Sequence, residues 1–295
     1  MTGKAAKVFP VPFLFMGYFY VLISSLLFGI LPSVQNKAIL NGADPLNVLF
    51  VCSAVSLAGS LFLCRCTHVN LKISKKEILT YLASGGLGLF VTDLCLNLAY
   101  TRMPVGLVTM IHFSYPVLVC FAAVLFFKEK LTRNKILAIL LSVLGLNLLG
   151  DSKANYSFEG VVLALISAFA YAFNLTIVDR SIIADHPVFL KNFYLYLFST
   201  LFSVLANASK LQMIQIVPNQ MIWMIASGII LMTGSLCLTK GIRTLGSSNA
   251  AFISTMEPIT SLLVSTFLYH YDLQPRSIFG CVFIILSLIP IIKDS

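Results

Sequence analysis

The stretch Ser254-Thr255-Met256-Glu257-Pro258 lies inside a mostly apolar run from Asn249 to Tyr269. A carboxylate in the middle of a membrane-spanning helix costs about 3 kcal/mol on insertion scales, and such a group indicates a functional site. Pro258 donates no backbone hydrogen bond and leaves a carbonyl one turn earlier without its usual partner. Both features are tolerated only where protein or a water-filled cavity satisfies the polar groups. We therefore expect this helix to face an interior that the rest of the chain builds.

The composition of the chain is that of a polytopic membrane protein. Hydrophobic residues make up 58% of the 295 residues and charged residues only 11%, whereas roughly 25% of a soluble domain is charged. Because a membrane-spanning helix needs about 20 mostly apolar residues, the predicted fold is all-α with ten spans. The candidate spans are 13–35, 45–64, 79–99, 104–127, 134–150, 159–178, 188–207, 219–240, 247–269 and 276–292. We interpret the first as a retained helix and not as a signal peptide.

The distribution of basic residues predicts the orientation of the chain in the membrane. About three in four of the 20 Lys and Arg residues fall on the N-terminal side of the predicted spans. The exceptions are Lys37, Arg102, Lys153, Lys210 and Arg276. Since basic residues mark cytoplasmic loops, we expect both termini in the cytoplasm and the protein in the cell membrane. The net charge of +9 then needs no nucleic-acid partner to explain it.

The two halves of the chain resemble each other at an offset of 142 to 143 residues. Ala83-Ser84-Gly85 aligns with Ala226-Ser227-Gly228, and Tyr115-Pro116 aligns with Glu257-Pro258. Each half holds five predicted spans, so the second half must enter the membrane from the opposite side. Inverted repeats of this kind recur in secondary transporters, whose binding site lies near the midplane where the repeats meet. Tyr115 and Glu257 each lie about ten residues into their span, which is about 15 Å deep.

The chain resembles the EamA-type transporters of the drug/metabolite transporter superfamily. The resemblance rests on Glu257-Pro258, on Tyr115-Pro116, on Lys128-Glu129-Lys130-Leu131 after the fourth span, and on the stretch from Gly29 to Lys37. It implies two EamA-like five-helix repeats, residues 1–150 and 151–295. It also implies transport of amino acids, metabolites or drugs, often outward.

One position departs from the pattern of that family. Tyr271-Asp272-Leu273 stands in the second half where Glu129-Lys130-Leu131 stands in the first. The departure favours an interfacial, structural role for this acidic position over a role in the transport chemistry.

A polar stripe along the ninth span supplies the first candidate site residues. Its members follow helical spacing and share one face; they are Asn249, Glu257, Thr260, Ser261 and Ser265. Such a stripe either lines a cavity or joins helices, because Ser and Thr do both. Glu257 favours the cavity, although a protonated Glu257 bonded to freed backbone would serve the fold alone.

Further candidates come from the third, fourth and sixth spans. Asp93, Asn97 and Tyr100 share a face of the third span, as Ser167, Tyr171 and Asn174 do in the sixth; Tyr115 and His112 lie in the fourth. Asp93 and His112 are predicted at similar depth, and we expect them within hydrogen-bond reach, directly or through water. That pair would relay protons, because histidine titrates near neutrality, or would simply pack two helices together.

These patterns favour a secondary transporter, an exporter of small organic solutes such as amino acids or related metabolites, working by alternating access. The partners expected are the solute, the lipid bilayer and protons. A passive channel and an intramembrane lipid-modifying enzyme are the alternatives. No GxxxxGK[ST], HExxH or GxSxG motif occurs, and the seven cysteines form no CxxC pair. We therefore expect no catalytic residues, no metal site and no cofactor.

Overall fold

The computed structural model describes residues 11–149, 157–209, 218–269 and 275–294. These residues form α-helices connected by short loops and contain no β-strand. The helices are α1 (Val11–Leu40), α2 (Pro45–Cys66), α3 (Lys75–Leu82), α4 (Val91–Tyr100), α5 (Val105–His112), α6 (Tyr115–Phe127), α7 (Arg133–Leu149), α8 (Phe158–Arg180), α9 (Val188–Ser209), α10 (Pro218–Leu245), α11 (Ser247–Ile253), α12 (Glu257–Tyr269) and α13 (Pro275–Asp294). A π-helical segment (Ala83–Phe90) joins α3 to α4, and a 3₁₀ turn (Ser254–Met256) joins α11 to α12.

Polar residues cap the N-termini of two of these helices. The Asp44 carboxylate accepts a hydrogen bond from the Leu46 N–H at 2.8 Å, before α2. At α3, Ser74 and Glu77 bond reciprocally through side chain and backbone. Such caps satisfy N–H groups that the first turn of a helix leaves without a partner.

Seven segments of the described chain are long and apolar enough to cross a membrane. They are Leu14–Leu40, Pro45–Cys66, Lys75–Tyr100, Val105–Phe127, Phe158–Arg180, Val188–Ala208 and Pro218–Leu245. The predicted spans 134–150, 247–269 and 276–292 do not meet the same criterion there. The first of them corresponds to the 17-residue α7, the second is divided into α11 and α12, and the third has a shorter apolar stretch, Pro275–Pro290. The all-helical membrane fold is confirmed, whereas the count of ten spans is not.

Contacts between the two halves follow an exchange pattern. With the predicted spans numbered 1 to 10, span 1 packs on spans 8 and 9, and span 6 packs on spans 3 and 4. Span 2 packs on span 7 and span 5 on span 10. Exchanging the first five spans for the last five therefore turns the contacts of span 1 into those of span 6 and leaves the 2–7 and 5–10 contacts unchanged.

Two spans are broken at equivalent places. The fourth is interrupted at Phe113 and Ser114, and the ninth at the turn Ser254–Met256. Each break ends at an X-Pro pair, so that Tyr115 begins α6 and Glu257 begins α12. Proline is tolerated there because the first residues of a helix need no N–H partner inside the helix.

The carbonyl freed by Pro258 finds a new partner inside the break. In a continuous α-helix, the proline nitrogen would face the carbonyl of Ser254. That carbonyl instead accepts the N–H of Glu257, through the shorter i→i+3 bond of a 3₁₀ turn. The Ser254 carbonyl thus lacks its usual α-helical donor, as expected, and the tighter turn supplies another one from the protein.

The π-helical segment lets two helices approach the third span closely. A Cβ atom at Gly85 would lie 2.6 Å from the Leu195 carbonyl oxygen of α9, and one at Gly88 would lie 2.8 Å from the Asn174 Cβ of α8. No side chain larger than hydrogen fits these contacts. The π-helical winding itself was not predicted, since the sequence pattern was interpreted with α-helical spacing.

Glu129 occupies a structural position between helix ends. Its carboxylate pairs with Arg180 at the end of α8 and accepts a hydrogen bond from Lys135 Nζ at 3.1 Å. Arg180 also donates to Asp179 at 2.8 Å. This network ties the end of α6 to the end of α8, in agreement with the interfacial role predicted for Glu129.

A substitution at Gly29 tests whether α1 packs closely against the broken ninth span. A Cβ atom there would lie 2.8 Å from the Glu257 carbonyl oxygen and would overlap the Thr260 side chain. Because overpacking costs about 1–3 kcal/mol, Gly29→Ala should lower the thermal unfolding temperature in detergent by several degrees. Gly106→Ala is the matched control, since nothing lies within 4 Å of a Cβ at Gly106. Equal unfolding temperatures for the two variants would contradict this close packing.

Candidate functional site

Glu257 is buried at the break in the ninth span. Its side chain is 7% exposed, and its Oε1 atom has no hydrogen-bond partner among the described residues. The Ser254 hydroxyl lies near this carboxyl group, but the two do not form a hydrogen bond. As the first residue of α12, Glu257 also faces the positive end of that helix dipole, which favours a negative charge. The helix dipole offsets only part of the cost of burying this carboxyl group, and no described residue forms an ion pair with it.

Tyr115 occupies the equivalent position at the break in the fourth span and is 0% exposed. Its hydroxyl has no hydrogen-bond partner in the described part of the chain. It lies near the Ser254 hydroxyl and close enough to Glu257 for an electrostatic interaction. The structure therefore brings the two helix breaks together, as the repeat in the sequence predicts.

Aromatic rings enclose the Tyr115 side of this meeting point. The Tyr115 ring meets the Tyr171 ring edge to face, with their centroids 4.8 Å apart. The ring centroid of His112 lies 5.2 Å from that of Tyr115 and 5.4 Å from that of Tyr171. The ring centroid of Phe113 lies 5.5 Å from that of Tyr115. Edge-to-face and tilted pairs at these distances are favourable and rigid. They present flat, electron-rich surfaces beside the Glu257 carboxylate.

His112 bonds to Ser167 of α8, with 2.8 Å between Nδ1 and Oγ. The Ser167 hydroxyl donates its single proton to the Ala164 carbonyl at 2.7 Å. Ser167 can therefore only accept from the ring, and the proton of a neutral His112 sits on Nδ1. The Nε2 atom is then an acceptor.

The direct Asp93–His112 hydrogen bond, one of the two predicted forms of that pair, does not form. His112 uses Nδ1 for Ser167, and the buried Asp93 Oδ2 atom has no partner among the described residues. Similar depth on two neighbouring spans does not fix the direction in which each side chain points, and the His112 ring faces Ser167 of α8. A water-mediated contact stays a prediction.

Asp93 nevertheless belongs to the same buried group as Glu257. Tyr100 and Tyr171 each lie within electrostatic reach of both carboxyl groups. Asn97 lies one turn beyond Asp93 and is buried, and both polar atoms of its amide lack partners in the described chain. Two carboxyl groups thus lie within electrostatic reach of the same two tyrosines, and a buried amide without partners lies one helical turn from one of these carboxyl groups.

The remaining predicted site residues lie in other contacts. Asn174 accepts a hydrogen bond from the Ser84 hydroxyl at 2.6 Å, which joins α8 to the π-helical segment. Thr260 donates to the Met256 carbonyl of its own helix at 3.3 Å and lies against Gly29 of α1. Ser261 is buried one turn after Glu257. Asn174 and Thr260 therefore serve helix packing.

The predicted polar stripe of the ninth span is not one continuous face. The 3₁₀ turn winds more tightly than an α-helix, so Asn249 on α11 is out of phase with Glu257 and Ser261 on α12. The side chain of Ser265 lies outside the described residues. The sequence interpretation also missed Ser254, the polar neighbour of both Glu257 and Tyr115. Its position three residues before Glu257 was the available signal.

The described residues contain no group of three or more His, Cys, Asp or Glu side chains placed to hold a metal ion. The chemistry of this cluster is instead that of carboxyl, hydroxyl and amide groups beside aromatic rings. Such a set binds a small polar or charged organic molecule through hydrogen bonds, ion pairing and cation–π contacts.

Comparisons with known proteins agree with the fold. The model of a family described as "EamA-like transporter family" matches residues 15–150 and 158–292. A solved structure described as "Crystal structure of protein" superposes with a TM-score of 0.77 and 14% sequence identity, covering 93% of this chain and 95% of that chain. At that identity the likeness shows the fold alone. No curated protein matches the sequence.

Tyr115 and Tyr196 allow a test of whether the Tyr115 hydroxyl serves the fold. Tyr115→Phe removes a buried hydroxyl that has no partner, so the unfolding temperature should stay the same or rise. Tyr196→Phe removes a hydroxyl that donates to the Leu231 carbonyl at 3.3 Å. That loss should cost about 0.5–1.5 kcal/mol and lower the unfolding temperature. If Tyr115→Phe lowers the unfolding temperature as much as Tyr196→Phe does, the Tyr115 hydroxyl has a hydrogen-bond partner that stabilises the fold.

Proposed function

Because the chain belongs to the EamA-like transporter family, we propose that it is a secondary transporter that moves small organic solutes by alternating access. Amino acids and related metabolites are the proposed solutes, and export is the proposed direction. Membership of a transporter family is also the reason that we assign no enzymatic reaction.

The proposed architecture is ten spans in two inverted five-helix repeats, residues 1–150 and 151–295. The exchange pattern of contacts between the halves supports it, because each contact of one half has a counterpart in the other. The odd number of spans in each repeat inverts the second relative to the first. The breaks at Tyr115 and Glu257 then approach the midplane from opposite sides, where the binding site of such transporters lies.

The observation that carries the proposal is the unpaired carboxyl group of Glu257. A buried charge without a partner is costly, so the group must be neutralised by a proton or by a cation. In the transport cycle, Glu257 either pairs with a cationic group of the solute or exchanges a proton. Asp93 is the second carboxyl group that shares the tyrosines Tyr100 and Tyr171 with it.

Contacts at the end of α8 are suited to act as a gate. Asp179 accepts hydrogen bonds from the Ser247 N–H at 2.9 Å and from its hydroxyl at 2.8 Å, at the start of α11. The neighbouring Arg180 pairs with Glu129 at the end of α6. These bonds hold the two broken spans against α8 on the N-terminal side. Alternating access requires that they open when the site faces that side.

Glu257→Gln tests the central claim, because it keeps the shape and hydrogen bonding but removes the charge. Transport into proteoliposomes should fall about tenfold or more, the effect of losing an interaction of about 1.5–3 kcal/mol with a charged group, or should lose its pH dependence. Expression and unfolding temperature should stay near normal. Glu159→Gln is the matched control, since Glu159 is exposed and pairs with Arg102 at a helix end.

Saturable counterflow in the same liposomes distinguishes a carrier from a channel, whose flux rises linearly with concentration. Normal and still pH-dependent transport by a well-folded Glu257→Gln variant would exclude this residue from the mechanism.

The proposed orientation has both termini in the cytoplasm. The distribution of basic residues places Lys153 and Lys37 on the outer side. Lys153 lies outside the described residues, whereas Lys37 is exposed and can carry the test. In a cysteine-free background, an impermeant thiol reagent added to whole cells should label a cysteine at Lys37. A cysteine at Lys130, exposed on the predicted cytoplasmic side, should remain unlabelled. The reverse pattern would overturn the orientation.

A further inference from the structure

A cavity separate from the residues around Glu257 lies at the helix ends on the N-terminal side. Its volume is about 600 Å³, and it is bounded by the N-terminal part of α1, the loop after α2, the start of α9 and the end of α10. None of its lining residues belongs to the group around Glu257. The cavity is open at the level where the spans end, which is the depth of lipid headgroups in a bilayer.

Two cations on one face of α10 give this cavity its charge. Lys240 and Arg243 are three residues apart, and both line it. No carboxylate lines the cavity, and neither cation forms an ion pair with any residue that the structure describes. In contrast, Arg180 at a nearby helix end pairs with Glu129. The pair of cations is therefore available to a negatively charged ligand.

Aromatic rings hold Lys240 in place. Its Nζ atom lies 4.9 Å from the centroid of the Tyr20 ring and 6.0 Å from that of Phe189. Cation–π contacts at these distances orient an ammonium group without neutralising its charge. The two rings thus fix where the ammonium group of Lys240 lies, near the end of α10.

The rest of the cavity wall is mostly apolar. Met16, Val69 and Phe189 contribute to it, and Met16 is among the exposed large hydrophobic residues. A ligand that fits both parts must carry a negative charge and an apolar portion. Basic pockets between membrane helices at the interface bind acidic lipid headgroups by this chemistry.

We propose that this cavity binds an anionic phospholipid. Its phosphate lies between Lys240 and Arg243, and its glycerol and upper acyl chain lie against Tyr20, Met16 and Phe189. The bound lipid would link α1 to α9 and α10 at one end of the bundle. This site is separate from the solute site and does not depend on the proposed transport activity.

Native mass spectrometry of the full-length protein in detergent, with equal amounts of phosphatidylglycerol and phosphatidylcholine, tests the proposal. The wild type should retain phosphatidylglycerol preferentially. The double variant K240Q/R243Q should bind it about 30-fold more weakly, the effect expected for two interfacial cations. The matched control K130Q/R133Q removes the same charge from exposed residues on the same side and should bind like the wild type. Lys240→Arg should preserve the preference, because it keeps the charge.

Equal retention of the two lipids by the wild type, or equal losses in the double variant and its control, would overturn the proposal. Thermal unfolding in phosphatidylcholine alone checks that all variants are folded, and their unfolding temperatures should agree. A free phosphate ester shares the headgroup chemistry, so glycerol 3-phosphate is added in a separate arm. If it stabilises the wild type as much as phosphatidylglycerol does, the cavity belongs to soluble phosphate esters and the lipid assignment is wrong.

Discussion

The constraint on which this structure depends is the need to satisfy every backbone polar group away from water. An X-Pro pair in the middle of a span breaks the helical ladder, and the chain contains two such pairs at equivalent places, Tyr115-Pro116 and Glu257-Pro258. At the second, a 3₁₀ turn recovers the carbonyl that the proline leaves without a donor. Both breaks are buried among neighbouring helices, since neither could face lipid. The packing of the bundle follows from covering them.

Close contacts between helices allow neighbouring helices to bury the two breaks. Gly29 brings α1 against the Glu257 carbonyl, and Gly88 brings the π-helical segment against Asn174 of α8. In a bilayer, helices associate through van der Waals contact and hydrogen bonds between small or polar residues, because apolar burial alone brings no gain over lipid. The same contacts exclude lipid from the breaks and leave a polar interior between the two halves.

The carboxyl groups of Glu129 and Glu257 have opposite surroundings. Glu129, Arg180 and Lys135 satisfy one another at the ends, whereas Glu257, Tyr115 and Asn97 have polar atoms without partners among the described residues. Buried polar atoms are nearly always hydrogen-bonded in native proteins. The atoms of Glu257 and Tyr115 that lack a partner at the helix breaks support the proposal that the solute binds there.

The sequence alone determined the membrane class, the two X-Pro breaks and the interior position of Glu257. These depend on hydropathy, on the chemistry of proline and on the cost of a carboxylate in lipid, all of which are local properties. Only the tertiary structure decided which side chains meet. His112 bonds to Ser167 and not to Asp93, and Asn174 bonds to Ser84. Such partners depend on how each helix is rotated, and the π-helical segment and the 3₁₀ turn change that rotation in ways that ideal helical spacing does not predict.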